Sequence, residues 1–269
     1  MRSITYFHKT VQFPDKPEKK RFFARLQNGD WEPCTFQNIE RLVDGKTTFV
    51  DIGGWIGVTP YWAAQIADNV ITVEPDPVCF GILKEMQPQN SGEVRVINAA
   101  LSEDDVLVLH SVGGGFGSSE TSALIADDNG EAIQAQTVKI AELQDMARTE
   151  RLCFKIDIEG YEYRALDQFA AIDRNRTAGV LLAVHPQILF ASLSGSSLLR
   201  VARTISATIR LIRSFSGFRL DNPRAIWTAL RKSIARREFR GFDLLFVARD
   251  RDRYSAARLV RRAKAAVGL

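Results

Sequence analysis

The sequence is poor in cysteine and histidine and has no long apolar run. Its three cysteines, Cys34, Cys79 and Cys153, stand far apart without C-x-x-C spacing, which argues against a zinc site and against a disulfide framework. No stretch approaches the roughly 18 apolar residues that a membrane-spanning helix needs. Residues 1–20 mix His8, Lys9, Asp15 and several more lysines with short apolar stretches, so no secretory leader is read there and a reducing cytoplasm is expected. Internal repeats and long low-complexity linkers are missing as well. The net charge is only +4, yet about half of the Lys and Arg residues follow Leu199, where few acids accompany them.

What remains is a chain of 269 residues, 45% of them hydrophobic, enough to bury one sizeable core. From Thr47 onward, short β-branched runs alternate with longer helical stretches. Strands are expected at 47–51, 70–74, 94–98, 106–110, 152–157, 180–184 and 242–247. Helices are expected at 58–67, 77–86, 138–147, 161–169 and from Asn222-Pro223 to about 237, with 113–119 a flexible glycine-serine loop. This alternation predicts an α/β, Rossmann-like fold, a mainly parallel central sheet with helices on both faces. The expected division is a helical or irregular segment at 1–46, one domain at 47–250 and a basic tail at 251–269.

The chemistry concentrates at strand ends. Asp51-Ile52-Gly53-Gly54-Trp55-Ile56-Gly57 leads from the first core strand into its helix, and glycines there let a backbone approach a ligand. The dinucleotide fingerprint fails, because the positions that should hold its later glycines carry Trp55 and Val58. An acid such as Asp51 is unfavourable beside a pyrophosphate but suits a cationic amino-acid head, which favours S-adenosylmethionine over a nicotinamide cofactor. Glu74, ending the next strand, can accept hydrogen bonds from ribose hydroxyls. The candidate cofactor-binding residues are Asp51, Gly53, Gly54, Gly57, Glu74 and Asn98. A third cluster, Lys155-Ile156-Asp157-Ile158-Glu159-Gly160-Tyr161-Glu162, brings Asp157 and Glu159 to the same crevice; Glu159 either orients a ligand or caps the following helix, and Glu162 is expected to be solvated. His185, before Pro186, is read as a base for a reacting hydroxyl or as a hydrogen-bonded structural residue. Asp157, Glu159 and His185 are therefore the candidate catalytic residues, and no His and Asp spacing calls for a metal.

From Trp31-Glu32-Pro33 to Val247 the chain resembles the FkbM family of methyltransferases. The motifs are Phe49-Val50-Asp51-Ile52-Gly53-Gly54, Val73-Glu74-Pro75-Asp76-Pro77, Asn98-Ala99-Ala100-Leu101-Ser102, the loop ending at Ser119, and Lys155 to Glu162. The resemblance implies a class I methyltransferase fold, S-adenosylmethionine as donor, and commonly a sugar or polyketide hydroxyl as acceptor. The chain departs from the family at Trp55, where a small polar residue such as Asn is usual, and at Ala183, where Glu is frequent. Two other readings stand beside O-methylation: an RNA or protein methyltransferase, although no interleaved basic and aromatic motif is read, and a non-catalytic cofactor-binding module. A small-molecule or glycan acceptor is the expected partner, and nucleic acid is not favoured. The basic residues Arg200, Arg203, Arg210 and Arg213, then Arg231, Lys232, Arg236 and Arg237, then Arg258, Arg261, Arg262 and Lys264, are expected either to be solvated or to meet an anionic inner-membrane surface.

Overall fold

In the computed structural model, the described residues are 1–16, 19–111, 115–117, 121–125, 130–236 and 238–249. Ser118, Ser119, Arg237 and the tail cluster from Arg258 to Lys264 lie outside them. Arg2–Tyr6 (β1) and Lys9–Phe13 (β2) pair antiparallel, with Phe7 and His8 both left-handed at the turn. A two-residue hairpin demands that geometry, and here it is met without Asn or Gly, so the sequence reading of 1–46 as helical or irregular needs correcting. Lys20–Gln27 (α1) and Pro33–Leu42 (α2) follow. Ile4, Tyr6, Val11, Phe13, Phe23 and Phe36 pack into the same core cluster as Phe49 and Val70 of the central sheet.

Thr47–Ile52 (β3) is buried along its whole length, as a strand covered on both faces must be. Val58–Ala63 (α3) leads to Asn69–Val73 (β4), and Pro77–Met86 (α4) to Val94–Ile97 (β5). Asp76 starts α4: its Oδ1 accepts the amides of Val78 at 2.8 Å and Cys79 at 3.1 Å, and Pro77 takes the turn where no amide is needed. Ala100–Leu101 (β6), Val106–Ser111 (β7), Thr121–Ser122 (β8) and Ala132–Val138 (β9) then form a separate four-stranded sheet. The helix expected at 138–147 is shorter, Ile140–Asp145 (α5), because its first residue belongs to β9.

Arg151–Ile156 (β10), Leu166–Ala170 (α6) and Thr177–Val184 (β11) return the chain to the central sheet, where a 3₁₀ turn at Tyr161–Tyr163 replaces the first half of the helix expected from 161. Pro186–Ser192 (α7), Ser197–Ser214 (α8), Phe218–Leu220 (β12), Arg224–Arg236 (α9) and Phe242–Ala248 (β13) complete the fold. The central sheet runs β12-β13-β11-β10-β3-β4-β5, parallel from β11 to β5, with β13 antiparallel to both of its neighbours. This is a Rossmann-like α/β fold with a mainly parallel central sheet. Strand order reverses between β3 and β10, which sets the crevice at their carboxyl ends.

Among the described residues no helix is long and apolar enough to cross a membrane. Part of the basic face expected on α8 serves the fold itself: Arg200 donates to the Phe190 carbonyl at 2.6 Å and lies 4.0 Å over that ring, and Arg203 donates to the Ser194 carbonyl at 3.3 Å.

Candidate active site

A cleft of about 740 Å³ opens at the carboxyl ends of β3, β4, β10 and β11, walled by α1 on one side and by the small sheet on another. Gly53, Gly54, Glu74, Asp157, Glu159 and His185 line it. Asp51, Gly57 and Asn98 do not, and each has a structural occupation. The Asp51 carboxylate is wholly buried, 3.8 Å from the Lys155 ammonium, and burial pushes its pKa up to about 7 against the pull of Lys155. Gly57 sits at φ +90°, where a Cβ would press on Tyr61, Met86 and Leu83. Asn98 donates to the Glu74 carbonyl at 2.9 Å and the Pro75 carbonyl at 3.3 Å, holding the loop after β4.

The two cleft glycines are demanded by protein neighbours first. At Gly53, φ is +91° and a Cβ would lie 1.8 Å from the Asp157 carbonyl oxygen; at Gly54 it would meet Thr72 Oγ1 at 2.1 Å. They let β3 leave the sheet between β10 and β4, and access for a ligand is a consequence of that tight passage.

Glu74 is buried at the cleft wall. Its Oε2 accepts the Trp55 amide at 2.7 Å and its Oε1 the Asp76 amide at 2.9 Å, which leaves one lone-pair direction on each oxygen. Burial pushes its pKa up to about 7, opposed by those two amides. Asp76, buried behind the cleft, anchors the loop at its rim: its Oδ2 accepts from the Gly117 amide at 2.6 Å and from Thr121 Oγ1 at 3.0 Å.

On the β10–β11 side the acids are held by cations. The Lys155 ammonium lies 3.1 Å from Asp157 Oδ2, and the field of Asp157, Asp51 and Glu32 keeps Lys155 charged although burial works the other way. Asp157 is held below its ordinary range despite burial, chiefly by Lys155 and next by His185. His185 Nδ1 lies 3.0 Å from Glu162 Oε1, and its Nε2 lies 3.6 Å from both Asp157 Oδ1 and Glu159 Oε2. Burial alone would lower its pKa, but the hydrogen bond to Glu162 and the surrounding carboxylates push it up to about 10. This environment favours the protonated imidazole over the neutral ring that a base requires. Glu162, expected to be solvated, is fully buried, and Gly160 rather than Glu159 precedes the 3₁₀ turn as its cap.

Several cleft residues are missed by the sequence reading. Lys155 carries its own signal, since a lysine inside the apolar strand Arg151–Ile156 needs a buried partner. Glu32 lines the cleft from the start of α2, and burial pushes its pKa up to about 7 against the pull of Lys155. Asp243 pairs with Ala183 across β13 and β11 and supplies an acid to the cleft beside the position where Glu is absent. Lys19, Arg21, Phe22 and Arg25 form a basic and aromatic wall with Trp31 and Trp55. Within this wall Phe22 and Trp55 meet edge-to-face at 4.7 Å, and the Lys19 ammonium lies 5.2 Å over the Trp55 ring.

Three cleft residues other than glycine, Glu32, Trp55 and Glu159, have positive φ of 44°, 44° and 47°. Such conformations cost on the order of 1 kcal/mol or more each and concentrate where function constrains the chain.

No family model and no curated protein matches this sequence. Among solved structures the chain is similar to M. capricolum TrmK bound to S-adenosyl-homocysteine, with TM-score 0.40 and 7% identity over 80% of this chain and 68% of that one. It is similar to an rRNA methylase from Streptococcus thermophilus, with TM-score 0.41 and 9% identity over 80% and 94% of the two chains. A ribosomal protein L11 methylase from Lactobacillus delbrueckii subsp. bulgaricus is similar with TM-score 0.40 and 13% identity over 82% and 80%.

Proposed function

We propose that the protein is an S-adenosylmethionine-dependent methyltransferase acting on a hydroxyl group. The observation that carries this reading is the set of carboxylates on one cleft. Glu32, Glu74, Asp157 and Glu159 line a crevice at the strand-order switch, an acceptor set suited to a cationic ligand with ribose hydroxyls. The charge argument passes from Asp51, which does not line the cleft, to these four. Glu74 would hold the ribose through its remaining lone pairs, with Gly53 and Gly54 beside the amino-acid portion. When bound, the cofactor supplies an activated methyl group on a sulfonium. The chain's own part is to align the acceptor oxygen in line with it, exclude water and receive the hydroxyl proton at a cleft carboxylate.

The resemblance to the FkbM family favours a sugar, glycan-precursor or polyketide hydroxyl as acceptor. A second reading, an RNA acceptor, is favoured by the wall of Lys19, Arg21, Phe22, Arg25, Trp31 and Trp55, where cations and aromatic rings share one side of the cleft. Calorimetry with S-adenosylhomocysteine and with NAD tests the cofactor: binding of the first alone is expected, and binding of NAD alone overturns the reading. Label transfer from methyl-labelled S-adenosylmethionine to glycan precursors or to RNA separates the acceptors. The basic residues of α8 and α9 that face solvent are proposed to meet an anionic membrane surface, which requires vesicle binding that weakens as salt rises.

A further inference from the structure

We propose that Asp157, Glu159 and His185 form a divalent-metal site in the wall of the cleft, suited to a first-row transition ion such as Mn²⁺ or Zn²⁺. One donor atom from each lies within 4.8 Å of the other two. The 3.6 Å from His185 Nε2 to each carboxylate is too long for a hydrogen bond. It is close to the spacing of two ligands on one ion, since atoms about 2.1 Å from a common metal at a tetrahedral angle lie about 3.4 Å apart.

Two further observations separate this arrangement from a plain ion-pair network. Asp157 spends Oδ2 on Lys155, while its Oδ1 is buried with no hydrogen-bond donor. An acceptor left in that state is costly, and a cation satisfies it. His185 is oriented from behind: the fully buried Glu162 accepts from Nδ1 and is itself steadied by the Ile158 amide at 3.1 Å, which leaves Nε2 to the two carboxylates. A carboxylate on the far nitrogen is the usual support of a metal-bound histidine.

One imidazole and two carboxylates suit Mn²⁺, Fe²⁺ or Zn²⁺ better than the all-oxygen preference of Ca²⁺ or Mg²⁺. All three ligands line the cleft, so further coordination positions are available to an oxygen ligand. A role in lowering the pKa of an acceptor hydroxyl rests on the methyltransferase reading, whereas the site itself does not.

The test uses the full chain after chelation and desalting, titrated with Mn²⁺ while the free-ion paramagnetic resonance signal is followed, and with Zn²⁺ by calorimetry. One equivalent is expected to bind, weakened about tenfold or more by Glu159→Gln and by Asp157→Asn, with thermal melts confirming that both variants fold. Glu159→Gln carries the test if Asp157→Asn fails to fold. No uptake of either ion at about 1 mM, or uptake unchanged in Glu159→Gln, overturns the proposal. Metal binding without S-adenosylhomocysteine binding would remove the functional reading and leave the metal site standing; the reverse result would do the opposite.

Discussion

The two halves of the central sheet hold their acids by different means. On the β3–β4 side, Glu74 and Asp76 are fixed by backbone amides of Trp55, Asp76, Val78, Cys79 and Gly117. On the β10–β11 side, Asp157, Glu159 and Glu162, joined by Asp51 from the neighbouring β3, are arranged around the side chains of Lys155 and His185. An acid fixed by amides keeps its place when neighbouring side chains change. One fixed by a cation loses its place when that single partner is removed. The first half therefore acts as a mould for a ligand of constant shape, and the second as a charge network whose balance one substitution can shift.

The largest expected effect comes from joining the halves badly. Gly53→Val would push a Cβ into the Asp157 carbonyl at a positive φ, and a loss of about 5 kcal/mol in urea unfolding is expected. A near-native midpoint would mean that β10 yields and that the passage between the halves is loose. Lys155→Met should cost about 3 to 4 kcal/mol by stranding Asp51 and Asp157, and Asp51→Asn in the same chain should restore much of it. If the double variant is no better than the single one, the acids are not coupled through Lys155.

On the amide-held side, Glu74→Ala should weaken S-adenosylhomocysteine binding by about 1.5 to 3 kcal/mol while leaving the fold intact, as calorimetry can show. Unchanged affinity would place the ribose elsewhere. The smallest effect lies outside both halves. Asp221, paired with Arg41 at 2.7 Å and Arg219 at 2.7 Å, is held below its ordinary range despite some burial. A carboxylate depressed by folding contributes stability above its unfolded pKa and loses it as pH falls through the folded one. Asp221→Asn should thus cost about 0.5 to 1 kcal/mol near neutrality and almost nothing in strong acid; an equal cost at both would rule out the ion pairs as its cause.

The central sheet is legible because β3, β4, β10, β11 and β13 are short runs of β-branched and aromatic residues bounded by turn signals. The hairpin of β1 and β2 is hidden by its Phe7-His8 turn. Strand β9 is hidden because its run, Ala132–Val138, carries only two β-branched aliphatics and borders a helix. At the site, the strand-end acids stand out as acids, but their surroundings do not. That Asp51 faces Lys155 and not the cleft, or that Glu162 is buried behind His185, depends on contacts between elements distant in sequence. The upward shift of the His185 pKa follows only from that assembly.

The hairpin has a consequence for the order of folding. The Trp62 indole donates to the Tyr6 carbonyl, 56 residues earlier, and Asn90 exchanges hydrogen bonds with Gln12 across 78 residues. Strands β1 and β2 therefore leave the ribosome well before the residues that anchor them, and an isolated two-stranded hairpin is barely stable in water. Their docking is expected to wait for α3 and for Asn90 beyond α4, a non-local closure placed after the rate-limiting step. Contacts made this late are absent from the transition state. Weakening them, as in Asn90→Ala, should hasten unfolding and leave the refolding rate nearly unchanged.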